Sequence, residues 1–175
     1  MAFTLKKITL DGVPAANAKA ERYRFLHQPH EAESICLDVL EIDPQNQLAL
    51  RNLALSITDQ FTGSFSDRLN QAEQAVQKLL DPYERLYYSG IIYERRAKTQ
   101  LHAGNMPHAL LVMFEKALRC FEQAQAISPP ANDDAILHWN SCVRVLQSRV
   151  DADWHQSQQE SGLLEPGDSG WGPSM

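Results

Sequence analysis

Nowhere in this 175-residue chain do about eighteen apolar residues run together, so it contains no segment able to cross a membrane as a helix. Cysteine is scarce. Cys36, Cys120 and Cys142 cannot all pair with one another, and no C-x-x-C spacing occurs. Reduced, buried thiols in a cytoplasmic protein are the expectation. The stretch from Met1 to Ile8 lacks a continuous apolar run and a small-residue cleavage site, so no secretory leader is expected. Gly-rich phosphate-binding spacings are missing, and with them the nucleotide-binding classes that depend on such loops. Lys and Arg are absent after Arg149, while Asp151, Asp153, Glu160, Glu165 and Asp168 follow. Those five acids carry most of the net charge of −6. Neither part of the chain offers the positive field that general nucleic-acid binding requires.

What is present is helical periodicity. The length fits one domain able to bury its own core. Ala32, Ile35, Cys36, Val39 and Leu40 recur at the spacing of one helix face. Further stripes run through Leu50, Leu53, Ala54, Ile57 and Phe61, then Leu69, Ala72, Val76, Leu79 and Leu80. Leu86, Gly90, Tyr93, Ala97 and Leu101 form a fourth, and Leu110, Met113, Phe114, Ala117, Phe121 and Ala124 a fifth. Ile136, Trp139, Val143, Leu146 and Val150 complete the set, with Trp139 expected to seal the end of the core. No comparable period-2 segment follows Leu10, so the fold class is all-α. Asp81-Pro82-Tyr83-Glu84 reads as an N-cap, a proline at the first helical position and a capping-box acid. Gly104 marks a stop before Asn105 and Pro107, and Asn132 is placed to cap the last helix. Short connections of this kind set consecutive helices antiparallel.

Helix pairs with two apolar faces stabilise one another by stacking. Between Tyr23 and Pro44 small Ala32 sits at a crossing position, as does Ala20 just before, and Asp43-Pro44 closes the unit. This segment resembles a tetratricopeptide repeat, a helix–turn–helix unit whose pattern ends in proline. A second unit resembles it through Leu50, Leu53, Ala54 and Ile57. A third does so through Leu86, Gly90 and Tyr93, continued by Ala117, Phe121, Ala124 and Pro129. Pro44 and Pro82 lie 38 residues apart, and Pro82 and Pro129 lie 47 apart. The second unit is therefore lengthened and the third strongly elongated, over Tyr83–His102 and Pro107–Ile127. The resemblance implies an α-solenoid of about seven helices, closed by a capping helix from Asp133 to about Asp153. Residues 1–12 form an N-terminal extension, 13–153 the repeat domain, and 154–175 a flexible acidic tail.

The resemblance also implies a function. First helices of successive units line a concave groove that holds a peptide or helix of a partner protein. The matching positions are Asn17, Glu21 and Arg24, then Arg51, Leu55 and Thr58, then Tyr87, Ile91, Glu94 and Arg95. One subclass grips acidic chaperone tails with a cationic clamp. Here Asn52 fits that clamp, but Glu21, Glu84 and Tyr88 occupy its other places, which argues against such a ligand. The expectation is a non-enzymatic adaptor or scaffold with no catalytic residues, no cofactor and no metal. Its alternatives are an accessory subunit of a larger complex and, with less support, an unrecognised small-molecule enzyme.

Other constellations have blander readings. Gly167-Asp168-Ser169-Gly170 resembles a serine-protease nucleophile segment, but it lies in the tail with no matched partners. His27 and His30, beside Glu31 and Cys36, fit no structural zinc spacing and read as turn residues, as do His102 and His108. Asp133, Asp134 and His138 suggest acid–base chemistry, though helix N-terminal carboxylates already have a structural role. For the tail, composition favours an inert extension. Its alternative is self-contact through Leu163, Leu164 and Trp171 against Arg85, Arg95, Arg96 and Lys98.

Overall fold

The computed structural model describes residues 3–64, 68–103 and 107–162, with backbone alone at 107–109 and 149–162. Gly104, Asn105 and the tail from 163, including the Gly167–Gly170 segment and Trp171, lie outside the described residues, as do the side chains of His108 and Val150. Among the described residues the chain is all-helical, without strands. A short 3-10 turn at Leu10–Gly12 leads into α1 (Val13–Phe25), α2 (Pro29–Ile42), α3 (Gln47–Thr58) and α4 (Leu69–Gln77). Then come α5 (Pro82–His102), α6 (Pro107–Ala126) and α7 (Asp134–Gly162).

Helix starts follow the capping chemistry of the sequence. Thr9 Oγ1 accepts from Gly12 N at 3.2 Å, and prolines open α1, α2 and α5. Asn46 Oδ1 accepts from Ala49 N at 3.0 Å, Asp81 Oδ1 from Tyr83 N at 2.8 Å, and Asn132 Oδ1 from Asp134 N at 3.0 Å. Glu84, expected to close a capping box, turns instead to Arg51 at 3.4 Å. Phe61 and Leu79 fall past the ends of α3 and α4, although both still pack into or against the core. Leu80 is exposed. α7 continues to Gly162, beyond the end expected near Asp153.

Each helix packs on the next, and each odd-numbered helix also meets the following odd one: α1 with α3, α3 with α5, α5 with α7. This is the contact pattern of stacked helix pairs. Among the described residues the core is correspondingly a row of three clusters. Val13, Val39 and Ala49 form the first; Leu50, Ile57, Val76, Leu79 and Ile92 build the second; Ile91, Phe114, Phe121 and Cys142 anchor the third. Leu40 packs against both the first and second, and Tyr88 against both the second and third. Trp139 is half-buried against the third cluster. Ala20, Ala32, Ala97, Ala117 and Ala124 are completely buried, as close helix crossings require.

Side chains of the odd helices hook the start of the next one. Asn17 Nδ2 donates to the α3 cap Asn46 at 3.0 Å, and Gln47 Oε1 accepts from Leu80 N at 2.7 Å just before α5. Tyr83 Oη donates to the α7 cap Asn132 at 3.2 Å. These links, two to a capping side chain and one to a backbone N–H, help set the register of the stack.

α5 and α6 have 21 and 20 residues, against 13, 14, 12 and 9 for the four helices before them, so the elongated third pair is present. The longer α3–α4 connection lies on the added turns of α5. Gly63, at φ 79°, leaves no room for a Cβ, which would stand 2.8 Å from Ala103 Cβ and 3.1 Å from Thr99 O. Arg96 lies over the Phe61 ring, 5.9 Å from its centroid. Arg68, at the start of α4, forks onto Glu33 of α2 at 2.5 and 2.8 Å. The extra residues of the second unit thus cover the extra turns of the third.

Candidate functional site

Because the odd helices lie side by side, their exposed faces enclose a cleft of about 330 Å³. α1 contributes Pro14, Asn17, Ala18, Glu21 and Arg24; α3 contributes Leu48, Arg51, Asn52 and Leu55; α5 contributes Tyr88. Five groove positions implied by the repeat resemblance therefore meet here: Asn17, Glu21, Arg24, Arg51 and Leu55.

The remaining five do not line it. Thr58 is buried and binds inward, its hydroxyl donating to Leu55 O at 2.8 Å and accepting from Arg95 Nη1 at 2.7 Å. Arg95 also pairs with Asp59. Tyr87, Ile91 and Glu94 face the third cluster and α7 rather than solvent. Ile91 is 4% and Glu94 3% exposed, and Tyr87 packs its ring 6.2 Å from Phe121 and 5.6 Å from His138. The physical reason is the helix that follows. α7 lies over these positions of α5.

Ion pairs and hydrogen bonds frame the cleft. Arg24 Nε donates to Asp59 Oδ2 at 3.0 Å. Arg51 donates to Tyr88 Oη at 3.5 Å and pairs with Glu84. Burial pushes the Arg51 guanidinium toward neutrality, but Tyr88, Glu84 and Glu21 more than offset this and raise its pKa. Asn17 and Asn52 are 5% and 7% exposed. The Asn17 Oδ1 atom is buried without a hydrogen-bond partner. Asn17 thus keeps one unpaired acceptor beside the cleft, next to the carboxamide of Asn52.

A second polar group ties α7 to α5. Glu94 Oε2 lies 2.6 Å from His138 Nδ1, and Lys98 Nζ donates to Glu94 Oε1 at 2.5 Å and to Ser141 Oγ at 2.9 Å. His138 also stacks on Phe121 with centroids 5.4 Å apart. Burial pushes the Glu94 carboxyl up, but the hydrogen bonds from His138 and Lys98 win and hold it below the ordinary carboxylate range. His138 thus serves Glu94, 44 positions away, rather than forming an acid–base set with Asp133 and Asp134. Nothing in the sequence connects the two residues, because the pairing depends on how α7 lies on α5.

Arg85, Arg95, Arg96 and Lys98, the cations proposed to receive the tail, also make contacts within the body. Arg85 donates to the Leu79 and Leu80 carbonyls at 2.6 and 3.0 Å, Arg95 holds Asp59, and Lys98 holds Glu94. Arg96 is buried. His27 takes φ 56° in the α1–α2 turn, a backbone role. Burial pushes the Cys36 and Cys142 thiols up to about 12 and raises Cys120 as well, so these are packing groups rather than thiolates.

Among the described residues, no group of three or more His, Cys, Asp and Glu side chains is disposed to hold a metal ion, and no helix is long and apolar enough to cross a membrane. Comparison with known protein families finds no matching family model, and comparison with curated proteins finds no match.

Proposed function

We propose that this chain is a non-enzymatic, cytoplasmic adaptor of the tetratricopeptide kind, holding an extended segment of a partner protein in the α1–α3–α5 cleft. The observation that carries this reading is the cleft itself, shared by three helices and walled by the buried carboxamides of Asn17 and Asn52. A carboxamide presents one donor group and one acceptor, the pairing that a peptide backbone needs. Leu48 and Leu55 supply apolar contact beside them, and Tyr88 and Arg51 are residue types that anchor interfaces. Buried small residues at the helix crossings and the regular hooks between odd helices support the repeat resemblance.

Affinity capture with the intact chain, compared with Leu48→Glu and Arg51→Glu, tests the reading. Leu48 is half exposed, so a glutamate there alters the cleft without opening the core. Proteins that co-purify with the native chain are expected to be lost with both variants. Partners retained by both would place the interface elsewhere. A second reading, as an accessory subunit, draws on the adjacent exposed side chains Leu111 and Val112 of the elongated α6. It predicts that partners are lost with Leu111→Glu and kept with Leu48→Glu.

A further inference from the structure

The charges around the cleft are balanced in number but divided in space. At one end Arg51 stands between two carboxylates, pairing with Glu84 and drawn by Glu21 through space. One guanidinium against two carboxylates leaves negative charge in surplus. At the other end Asp59 stands between two guanidiniums, those of Arg24 and Arg95. There the surplus is positive. Arg51 and Asp59, the centres of these two groups, are separated by eight positions, from the first half of α3 to its C-cap, about 12 Å along the axis at 1.5 Å per residue. An extended chain covers that distance in about four residues. Side chains four residues apart on such a chain also point to the same side.

Resting on the reading of the cleft as a peptide groove, we infer that its occupant is a charge-split extended segment. One Lys or Arg sits at the Glu21–Glu84 end, and one Asp or Glu, about four residues away, sits at the Arg24–Arg95 end. Such complementarity fixes register and rejects mismatched segments more than it adds raw affinity. The chain's own sequence after Arg149 carries acids but neither Lys nor Arg, so it satisfies only one end.

Panning a phage-displayed library of random decapeptides against the full chain tests the inference. Enriched clones are expected to carry a cation and an anion about four residues apart, and to bind Glu21→Lys about tenfold more weakly. Glu21 is exposed, so this variant keeps the fold, which circular dichroism verifies. Panning against Glu21→Lys itself is expected to replace the selected cation with an anion. Clones that need Leu48 but show no charge spacing, or that ignore Glu21→Lys, overturn the charge-split occupant and leave the groove standing. Enrichment of purely acidic clones overturns it in favour of self-docking by the chain's own end. A library yielding no clone sensitive to Leu48→Glu overturns both the occupant and the groove.

Discussion

A glycine and a phenylalanine show how much a single position decides. A Cβ on Gly90 would stand 2.5 Å from Phe121 Cε1, so the α6 ring lies directly on the α5 backbone. Gly90→Ala is expected to destabilise the chain by about 1–3 kcal/mol through overpacking. Phe121→Ala is expected to lose about 3–5 kcal/mol by opening a cavity. The double variant should fall short of the sum, because the new methyl enters the space the ring vacates. Denaturant unfolding of all three measures this, and strictly additive losses would contradict the contact. The small residue at position 90 was legible in the sequence, through its place in the repeat pattern; its partner was not. Glu94 gives the second residue-scale prediction. Its carboxyl is held low in the folded chain, so its contribution to stability is present above the unfolded carboxylate pKa and lost as pH falls through the folded value. Glu94→Gln should flatten the acid limb of a stability-versus-pH curve. It should not abolish that limb, because Glu33, lowered by its hydrogen bond to Arg68, titrates in the same sense.

At the scale of helices and turns, the lengths of α5 and α6 were readable because prolines mark the helix starts and ends on both sides. Capping by Asp81 and Asn132 was readable for the same reason: it is chemistry between near neighbours. The α3–α4 connection was not, since its conformation answers to α5, more than thirty residues further on. Gly63→Ala tests that dependence. The residue has positive φ and a Cβ would meet both Ala103 and the Thr99 carbonyl, so a loss of about 1–2 kcal/mol is expected. Hydrogen exchange should place the loosening in the connection and in the last turns of α5, not in α1 or α2. Asn132→Ala should remove the α7 cap and the Tyr83 bond together, for a loss of about 1–2 kcal/mol. Tyr83→Phe alone should lose less, since it leaves the cap in place.

Across the whole molecule, the sequence treated equivalent positions of the three units as equally open, which is where its groove departs from the structure. In the first two units that equivalence holds well enough to place Asn17, Glu21, Arg24, Arg51 and Leu55 around one cleft. In the third, α7 closes over Ile91 and Glu94. Periodicity reports which face of a helix is apolar; it carries no record of which neighbour closes over the polar one. The same arrangement in a row bears on how the chain yields to force. Its three clusters of buried side chains are bridged by Leu40 and Tyr88, so tension applied between the two ends has no single barrier to overcome. Held in an optical trap, the protein should give way in successive small rips, and Tyr88→Ala should separate the rupture of its two halves further in extension and in time.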